Sequence, residues 1–477
     1  MRPVVGFDLD LTLVDSADGI IATFVETGLR FGTQVSAGAV RQLIGIPLED
    51  ACAQLLGADV AIDAARAYRQ LYPALGVPRT VLLPGAADAV AAVRAHGGRA
   101  VVVSAKAEHL IHATLEYVGL TVDGVIGDRF GSAKGEALRA LQVAVHVGDH
   151  PGDMIGAKAA TAHAVGVTTG SHDGAALRHA GADTVLGDLE SFVPWLDEYV
   201  LDARLAELER GLGELGSVVV AFSGGADSAF LLAAAVRALG RDRVLAATAV
   251  SPSLPRRELV AAGEFAESLG VRQVRPRTDE LSREGYRANG GDRCYFCKAE
   301  LVDVLRPLAE REGYTQVATG TNADDAVAGF RPGIRAAAER GAVTPLRDAG
   351  LTKAQIREVS RRWGLPTWDK PAAACLSSRV AYGLEITPAR LARVDRAEAT
   401  LRAELEAAGV PVRNLRVRDL GHAARVEVDA DVVGRVADTA AALDAVRSVG
   451  FDAVEVDPRG FRSGSMNELL TEPSRFR

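Results

Sequence analysis

The sequence predicts an α/β protein: two doubly wound parallel-sheet domains followed by a small C-terminal α+β region. Three observations predict it. Short apolar, β-branched runs end in small or acidic residues: Val4 to Phe7 into Asp8, Ala100 to Val103 into Ser104, Val143 to Val147 into Gly148-Asp149, Val218 to Phe222 into Ser223, and Gln316 to Ala318 into Thr319. Continuous apolar runs of this length suit parallel strands buried on both faces. Helical patterns such as Ala229 to Leu239 and Arg256 to Leu269 alternate with them, which is the βαβ arrangement. Past Thr387 the pattern changes to one long helix, Thr387 to Ala408, and two alternating strands, Leu415 to Arg418 and Ala424 to Val428. The expected domains are 1–198, with a helical cap inserted at about 16–79, then 217–385 and 386–477. Residues 199–216 join them as a linker helix, because Leu201, Leu205, Leu208 and Leu212 recur at helical spacing.

A chain of 477 residues can bury two or three separate cores. Its 48% hydrophobic and 24% charged composition is that of an ordinary globular protein. A net charge of -8 argues against a general nucleic-acid binder. No apolar run reaches membrane-spanning length, and Met1 leads directly into a strand without a signal peptide, so the expectation is a cytoplasmic protein without a membrane partner. Four cysteines in such a chain do not make a disulfide framework. Cys52, inside the cap, reads as a small core residue.

In the first domain Asp8 and Asp10 stand at the C-terminal end of the first strand, where open α/β sheets bind ligands. Asp8 can attack phosphorus only if the phosphate charge is neutralised. Mg²⁺ held by Asp8, Asp149 and Asp153 would do that, with Ser104 and Lys134 on the phosphoryl oxygens. Asp10 can protonate the leaving oxygen and later activate water, and it belongs with Thr12 to the same strand exit. The four stretches, in this order, resemble the haloacid dehalogenase-like phosphatases, in which the second aspartate has that role and joins the first at the metal. Leu11 departs from the pattern, since glycine often stands there. The cap would exclude water and select substrate.

Ser223-Gly224-Gly225-Ala226-Asp227-Ser228 joins a strand to a helix. Its glycines admit a close ligand, Ser223 and Ser228 offer hydroxyls, and the helix start offers N–H groups to an anion. No Gly-x-x-x-x-Gly-Lys-Ser/Thr pattern is present. The string resembles the pyrophosphate loop of ATP pyrophosphatases, which split ATP between the α and β phosphates and form an adenylate. Asp227, Asp324 and Asp325 are candidates for Mg²⁺ near those phosphates. Cys294 and Cys297 have Cys-x-x-Cys spacing and Cys375 supplies a third thiol, leaving a redox pair, a zinc site and an iron-sulfur site open. No histidine stands out as a fourth zinc ligand, and three cysteines suit a cluster with one open iron.

With Phe330-Arg331-Pro332-Gly333, Cys375-Leu376-Ser377-Ser378-Arg379 and Gly460 to Asn467, these motifs resemble the LarE family of ATP-dependent sulfur transferases, from about residue 205 onward. The resemblance implies adenylation of a pyridinium dicarboxylate mononucleotide and displacement of AMP by sulfur, in synthesis of the nickel-pincer cofactor. Some members sacrifice a cysteine sulfur; others carry three cysteines on a 4Fe-4S cluster. Here Ala374 stands at the sacrificial position with Cys375 beside it, which favours the cluster type. Arg416 and Arg462 match arginines that clamp the substrate phosphate, and guanidinium suits that task by donating bidentately. Ser378 and Arg379 match residues beside the transfer site, while Glu398 and Glu427 match acidic positions that collect a divalent ion at a homo-oligomer interface. The expectation is a two-function fusion acting on small molecules, one of them a nucleotide. The alternative is another adenylating pyrophosphate-loop enzyme, an amide ligase or RNA thiolase, with the first domain an inactive binding module.

Overall fold

The computed structural model describes residues 2–327, 332–371 and 374–462. Phe330, Arg331 and Ser463 to Asn467, parts of two motifs noted above, lie outside the described residues. The chain divides into two compact units, Met1–Asp202 and Ala203–Arg477, and the division falls within the helix Phe192–Leu215. Among the described residues no helix is long and apolar enough to cross a membrane.

The first unit holds a six-stranded parallel sheet: β1 (Val4–Phe7), β2 (Arg99–Val103), β3 (Val125–Ile126), β4 (Val145–Gly148), β5 (His163–Val167) and β6 (Thr184–Leu186). The order is β3-β2-β1-β4-β5-β6. Register pairs Phe7 with both Val102 and Val147, so three neighbouring strands end at one level. Asp8, Ser104 and Asp149 therefore emerge side by side, which is why residues 45 to 141 positions apart in sequence can share a site. A two-stranded ribbon, Val14–Asp15 with Val81–Leu82, flanks the helices Ala17–Arg30, Ala37–Arg41, Leu48–Leu56 and Ala61–Leu75. Those helices pack around their own apolar cluster, including Ile20, Phe24, Val40, Cys52, Tyr68 and Tyr72.

The second unit has a four-stranded parallel sheet: β7 (Val218–Ala221), β8 (Val244–Ala247), β9 (Gln273–Val274) and β10 (Gln316–Thr319), in the order β9-β8-β7-β10. All four residues of β7 are buried, as a central strand requires. A three-stranded sheet follows, β11 (Leu415–Asp419) antiparallel to β12 (Ala423–Val428), with β13 (Ala453–Val456) parallel to it. The long helix Pro388–Ala407 contributes Ala397, Leu401 and Leu405 to the core over this sheet. The helix after β7 begins at Ala226, three residues earlier than its apolar run suggests, so Asp227 and Ser228 lie in its first turn.

Candidate active sites

In the first unit Asp8, Asp149 and Asp153 are buried, and one carboxylate oxygen from each lies within 4.8 Å of the others. Lys134 donates to Asp8 Oδ1 at 3.0 Å and also to Asp153. Thr12 donates to Asp149 Oδ1 at 2.8 Å. Asp153 Oδ2 accepts from the His150 amide at 3.1 Å, so the helix start Pro151–Ala159 fixes this carboxylate. A Cβ on Gly148 would lie 2.3 Å from the Asp153 carboxyl; glycine is needed there because the carboxylate rests on the backbone. Ser104 is buried at the end of β2.

One ammonium faces three carboxylates. Burial, with Asp153 and Asp10 nearby, raises Asp8 to about 6 against the pull of Lys134. Burial likewise pushes Asp149 well above the usual carboxylate range, with Asp153 and Asp8 adding to it. Burial acts to raise Asp153 too, but Lys134 and His146 overcome it and hold that carboxyl low. A hard divalent cation with oxygen ligands fits this donor set, because it supplies the positive charge the buried carboxylates lack.

Asp10 accepts from Ser16 Oγ and from Lys106 Nζ, each at 2.5 Å and both on Oδ1. Lys106 also donates to the Tyr72 hydroxyl at 2.7 Å, bridging the strand exit and the cap helix Ala61–Leu75. Burial would lower the Lys106 pKa, but Asp10 and then Tyr72 reverse the shift and raise it. Sequence reasoning missed Lys106; its only signal was its place two residues after Ser104. Leu11 takes φ +58°, which accounts for the glycine often found at that position: a left-handed residue turns the chain between Asp10 and Thr12.

In the second unit Gly224 takes φ +73°, bending the chain from β7 into the helix start. Ser223 and Ser228 hydroxyls lie 3.2 Å apart, and Ser228 donates to the Gly225 carbonyl at 3.1 Å. Lys370, also missed in the sequence, donates to the Gly224 carbonyl at 2.8 Å and to Glu258 at 2.7 Å. Asp227 Oδ1 is buried without a hydrogen-bond partner, while Oδ2 lies 4.0 Å from Lys353 Nζ. Burial raises the Asp227 pKa. Asp324 instead accepts from the Lys353 amide, 29 residues away, and Asp325 from the Asn322 amide, so both hold backbone.

Cys294 and Cys297 lie in the first turns of the helix Arg293–Glu312, and Cys375 precedes the short turn Leu376–Arg379. Hydrogen bonds tie the Cys375 segment to this helix and to the residues just before it. Arg293 donates to the Ser377 carbonyl at 3.0 Å, Tyr286 and Ser377 hydroxyls share a 2.5 Å hydrogen bond, and Asn289 donates to the Ala381 carbonyl at 2.8 Å. Packing around the thiols, and next the presence of Cys375, pushes both Cys294 and Cys297 up. The three sulfurs are within electrostatic reach of one another, and Arg293 and Lys298 supply neighbouring positive charge. Lys298, which closes the Cys-x-x-Cys stretch and carries no assigned role in the sequence reading, is itself lowered by burial.

Arg379, 2% exposed, donates from Nε to Glu398 at 2.9 Å and from Nη1 to the Cys375 carbonyl at 2.9 Å. Ser378 Oγ donates to the same carbonyl at 2.7 Å. Arg418 pairs with Glu427 at 2.7 and 3.0 Å and reaches the Ser378 carbonyl at 3.1 Å. Glu398 and Glu427 are thus arginine partners in this chain. Arg416 lies beside the other two guanidiniums and 5.3 Å from the Phe461 ring; burial, then Arg379, lowers it to about 10. Arg462 lies 3.6 Å from Asp457.

The chain matches the haloacid dehalogenase-like hydrolase family over residues 5–165 and the NAD synthase family over residues 206–285. An uncharacterized Synechocystis protein, slr1717, is 40% identical over 276 residues, covering 57% of this chain and 100% of that protein. Pyridinium-3,5-bisthiocarboxylic acid mononucleotide synthase of Lactiplantibacillus plantarum is 35% identical over 276 residues, 57% of this chain and 96% of that enzyme. The chain belongs to the LarE family. Ahead of its LarE unit it carries a haloacid dehalogenase-like hydrolase unit, 30% identical over 214 residues to a probable phosphatase, IndB, of Dickeya dadantii (40% of this chain, 93% of that protein). Within the LarE unit, the loop Ser223–Ser228, the three thiols and the arginines fall inside one compact body.

Proposed function

We propose that the LarE unit uses ATP to adenylate a carboxylate of a pyridinium dicarboxylate mononucleotide and then replaces AMP by sulfur. The observation that carries this reading is the arginine at 379, which holds the Cys375 carbonyl with one nitrogen while its neighbour Arg416 has its positive charge crowded by Arg379 and Arg418. The segment carrying Cys375 and a cluster of three arginines are thereby adjacent. The pyrophosphate leaves against the Ser223–Ser228 loop and the free N–H groups of the helix at Ala226. Arg416 and Arg462 take the substrate phosphate; Ser378 and Arg379 orient the segment carrying Cys375. Cys294, Cys297 and Cys375 would hold a 4Fe-4S cluster, which when bound supplies an open iron for the incoming sulfide.

The first unit is a hydrolase in which Asp8 attacks phosphorus and Asp10 first gives a proton to the leaving alcohol and then takes one from water. Ser104 and Lys134 bind phosphoryl oxygens. Mg²⁺, held by Asp8, Asp149 and Asp153 with Asp10 adjoining, would neutralise the charge on phosphate.

Anaerobic reconstitution with iron and sulfide tests the LarE reading. The wild-type chain and Cys52→Ala should bind the cluster, and Cys375→Ser should not. Turnover should release AMP and pyrophosphate; ADP and phosphate would refute the loop assignment. Conversion of Cys375 to dehydroalanine in a cluster-free protein would replace the cluster by single-use sulfur donation.

A further inference from the structure

We infer that the phosphatase unit acts on compact phosphomonoesters with an apolar alcohol, a short alkyl chain or single aryl ring, and not on sugar phosphates or nucleotides. The inference rests on the phosphatase reading and comes from the cavity above Asp8 and Asp10. Its floor is polar, formed by Asp8, Asp10, Ser104 and Lys106. Its wall is not: Ile20, Phe24, Ile44, Leu48, Tyr68 and Leu110 surround it, five of them buried members of the apolar cluster around which the cap helices pack. Among the cavity-lining residues beyond the floor, only the Tyr68 hydroxyl and the Arg69 guanidinium bring polar side-chain atoms, and Arg69 already donates to Glu49 at 2.7 Å.

Two magnitudes weigh against a sugar. Each hydroxyl desolvated without a partner costs about 1–3 kcal/mol, and a pentose or hexose brings several. The cavity is also small, about 70 Å³, against about 300–1,000 Å³ for sites that engulf a drug-sized ligand. The apolar wall instead favours carbon, at about 0.8 kcal/mol per buried methylene. In the reaction the ester P–O bond breaks as Asp8 Oδ bonds to phosphorus, and the alcohol leaves with the proton of Asp10. Water then attacks phosphorus, returns its proton to Asp10 and frees Asp8 and inorganic phosphate.

The test compares kcat/KM of the full chain with Mg²⁺ for n-butyl phosphate, phenyl phosphate, a hexose phosphate and adenosine monophosphate. Butyl and hexose phosphates have similarly basic leaving alkoxides, so their ratio reads the wall. The expected ratio is about tenfold or more in favour of butyl, and Ile46→Ser on the same wall should shrink it. A ratio at or below one, or one untouched by Ile46→Ser, overturns the inference while leaving the phosphatase reading intact. Absence of Asp8-dependent hydrolysis of every ester, p-nitrophenyl phosphate included, overturns that reading and the inference with it.

Discussion

Replacing Lys106 by methionine keeps the length of the stem but removes the ammonium that Asp10 and Tyr72 share at 2.5 and 2.7 Å. Lys106 and Ser16 both donate to Asp10 Oδ1, so in the proposed mechanism Oδ2 is the oxygen that carries the proton. A hydrogen bond to a charged group contributes about 1.5–3 kcal/mol, so loss of this one should release Asp10 from its working orientation at about that cost. That corresponds to about a ten- to hundredfold fall in rate where the leaving oxygen needs a proton. An alkyl phosphate needs one; p-nitrophenolate departs without it.

The assay is kcat/KM for both substrates, because this ratio reports the steps up to departure of the leaving group and excludes the later use of Asp10 as a base. Lys106→Met should cost alkyl phosphate about ten- to hundredfold and p-nitrophenyl phosphate no more than about threefold. Lys106→Arg, which keeps the charge, should recover part of the alkyl rate. An equal loss on both substrates would refute the reasoning, since it would mean that Lys106 supports the fold of the site and not the placement of Asp10.

Three further outcomes follow from the geometry. Asp8, raised to about 6, and Asp149 bind protons in the metal-free protein and must release them to Mg²⁺, so affinity rises with pH through that window. Release from Asp8 alone gives about a tenfold gain between pH 5 and 7, measurable by calorimetry; pH-independent binding would contradict it. Gly148→Ala should weaken Mg²⁺ binding by displacing the Asp153 carboxyl 2.3 Å from the new methyl, whereas Gly38→Ala, with nothing within 4 Å, should leave it unchanged. Arg379→Ala strips Glu398 of its buried partner and should destabilise the LarE unit by about 3 kcal/mol or more in urea unfolding; a change under about 1 kcal/mol would show that the pair is not stabilising.

The strands and the residues at their ends were legible because a parallel strand buried on both faces leaves a continuous apolar run, and its register carries Asp8, Ser104 and Asp149 to one level. The helix after β7 was read three residues short because Ala226-Asp227-Ser228 carries no apolar periodicity; its first turn is set by Gly225 as cap and Gly224 in a left-handed conformation. Alternation put Arg416 and Arg418 on one face of β11 and Arg425 and Glu427 on one face of β12; the register, which the sequence did not reveal, pairs Arg416 with Glu427 and Arg418 with Arg425. Alternation gave no sign that Arg418 and Glu427 would be buried, since burial depends on what covers the sheet.

Lys106 and Lys370 share a reason for having been missed. Each contacts a group far away in sequence: Asp10 and Tyr72 for the first, the Gly224 carbonyl for the second. A lysine in a sequence reads as a solvated charge, and nothing local distinguishes the one that is covered. What distinguishes it is a deficit elsewhere. Asp10 and the carbonyl of a left-handed glycine are acceptors in buried or half-buried places, and each needs a donor that its own strand or loop does not provide. Counting such acceptors at strand ends, then asking which cation the topology can deliver to each, would have singled out Lys106 before any coordinates. The same count directs attention to Asp227 Oδ1, buried with no hydrogen-bond donor of its own, as the acceptor that a ligand of the Ser223–Ser228 loop has to satisfy.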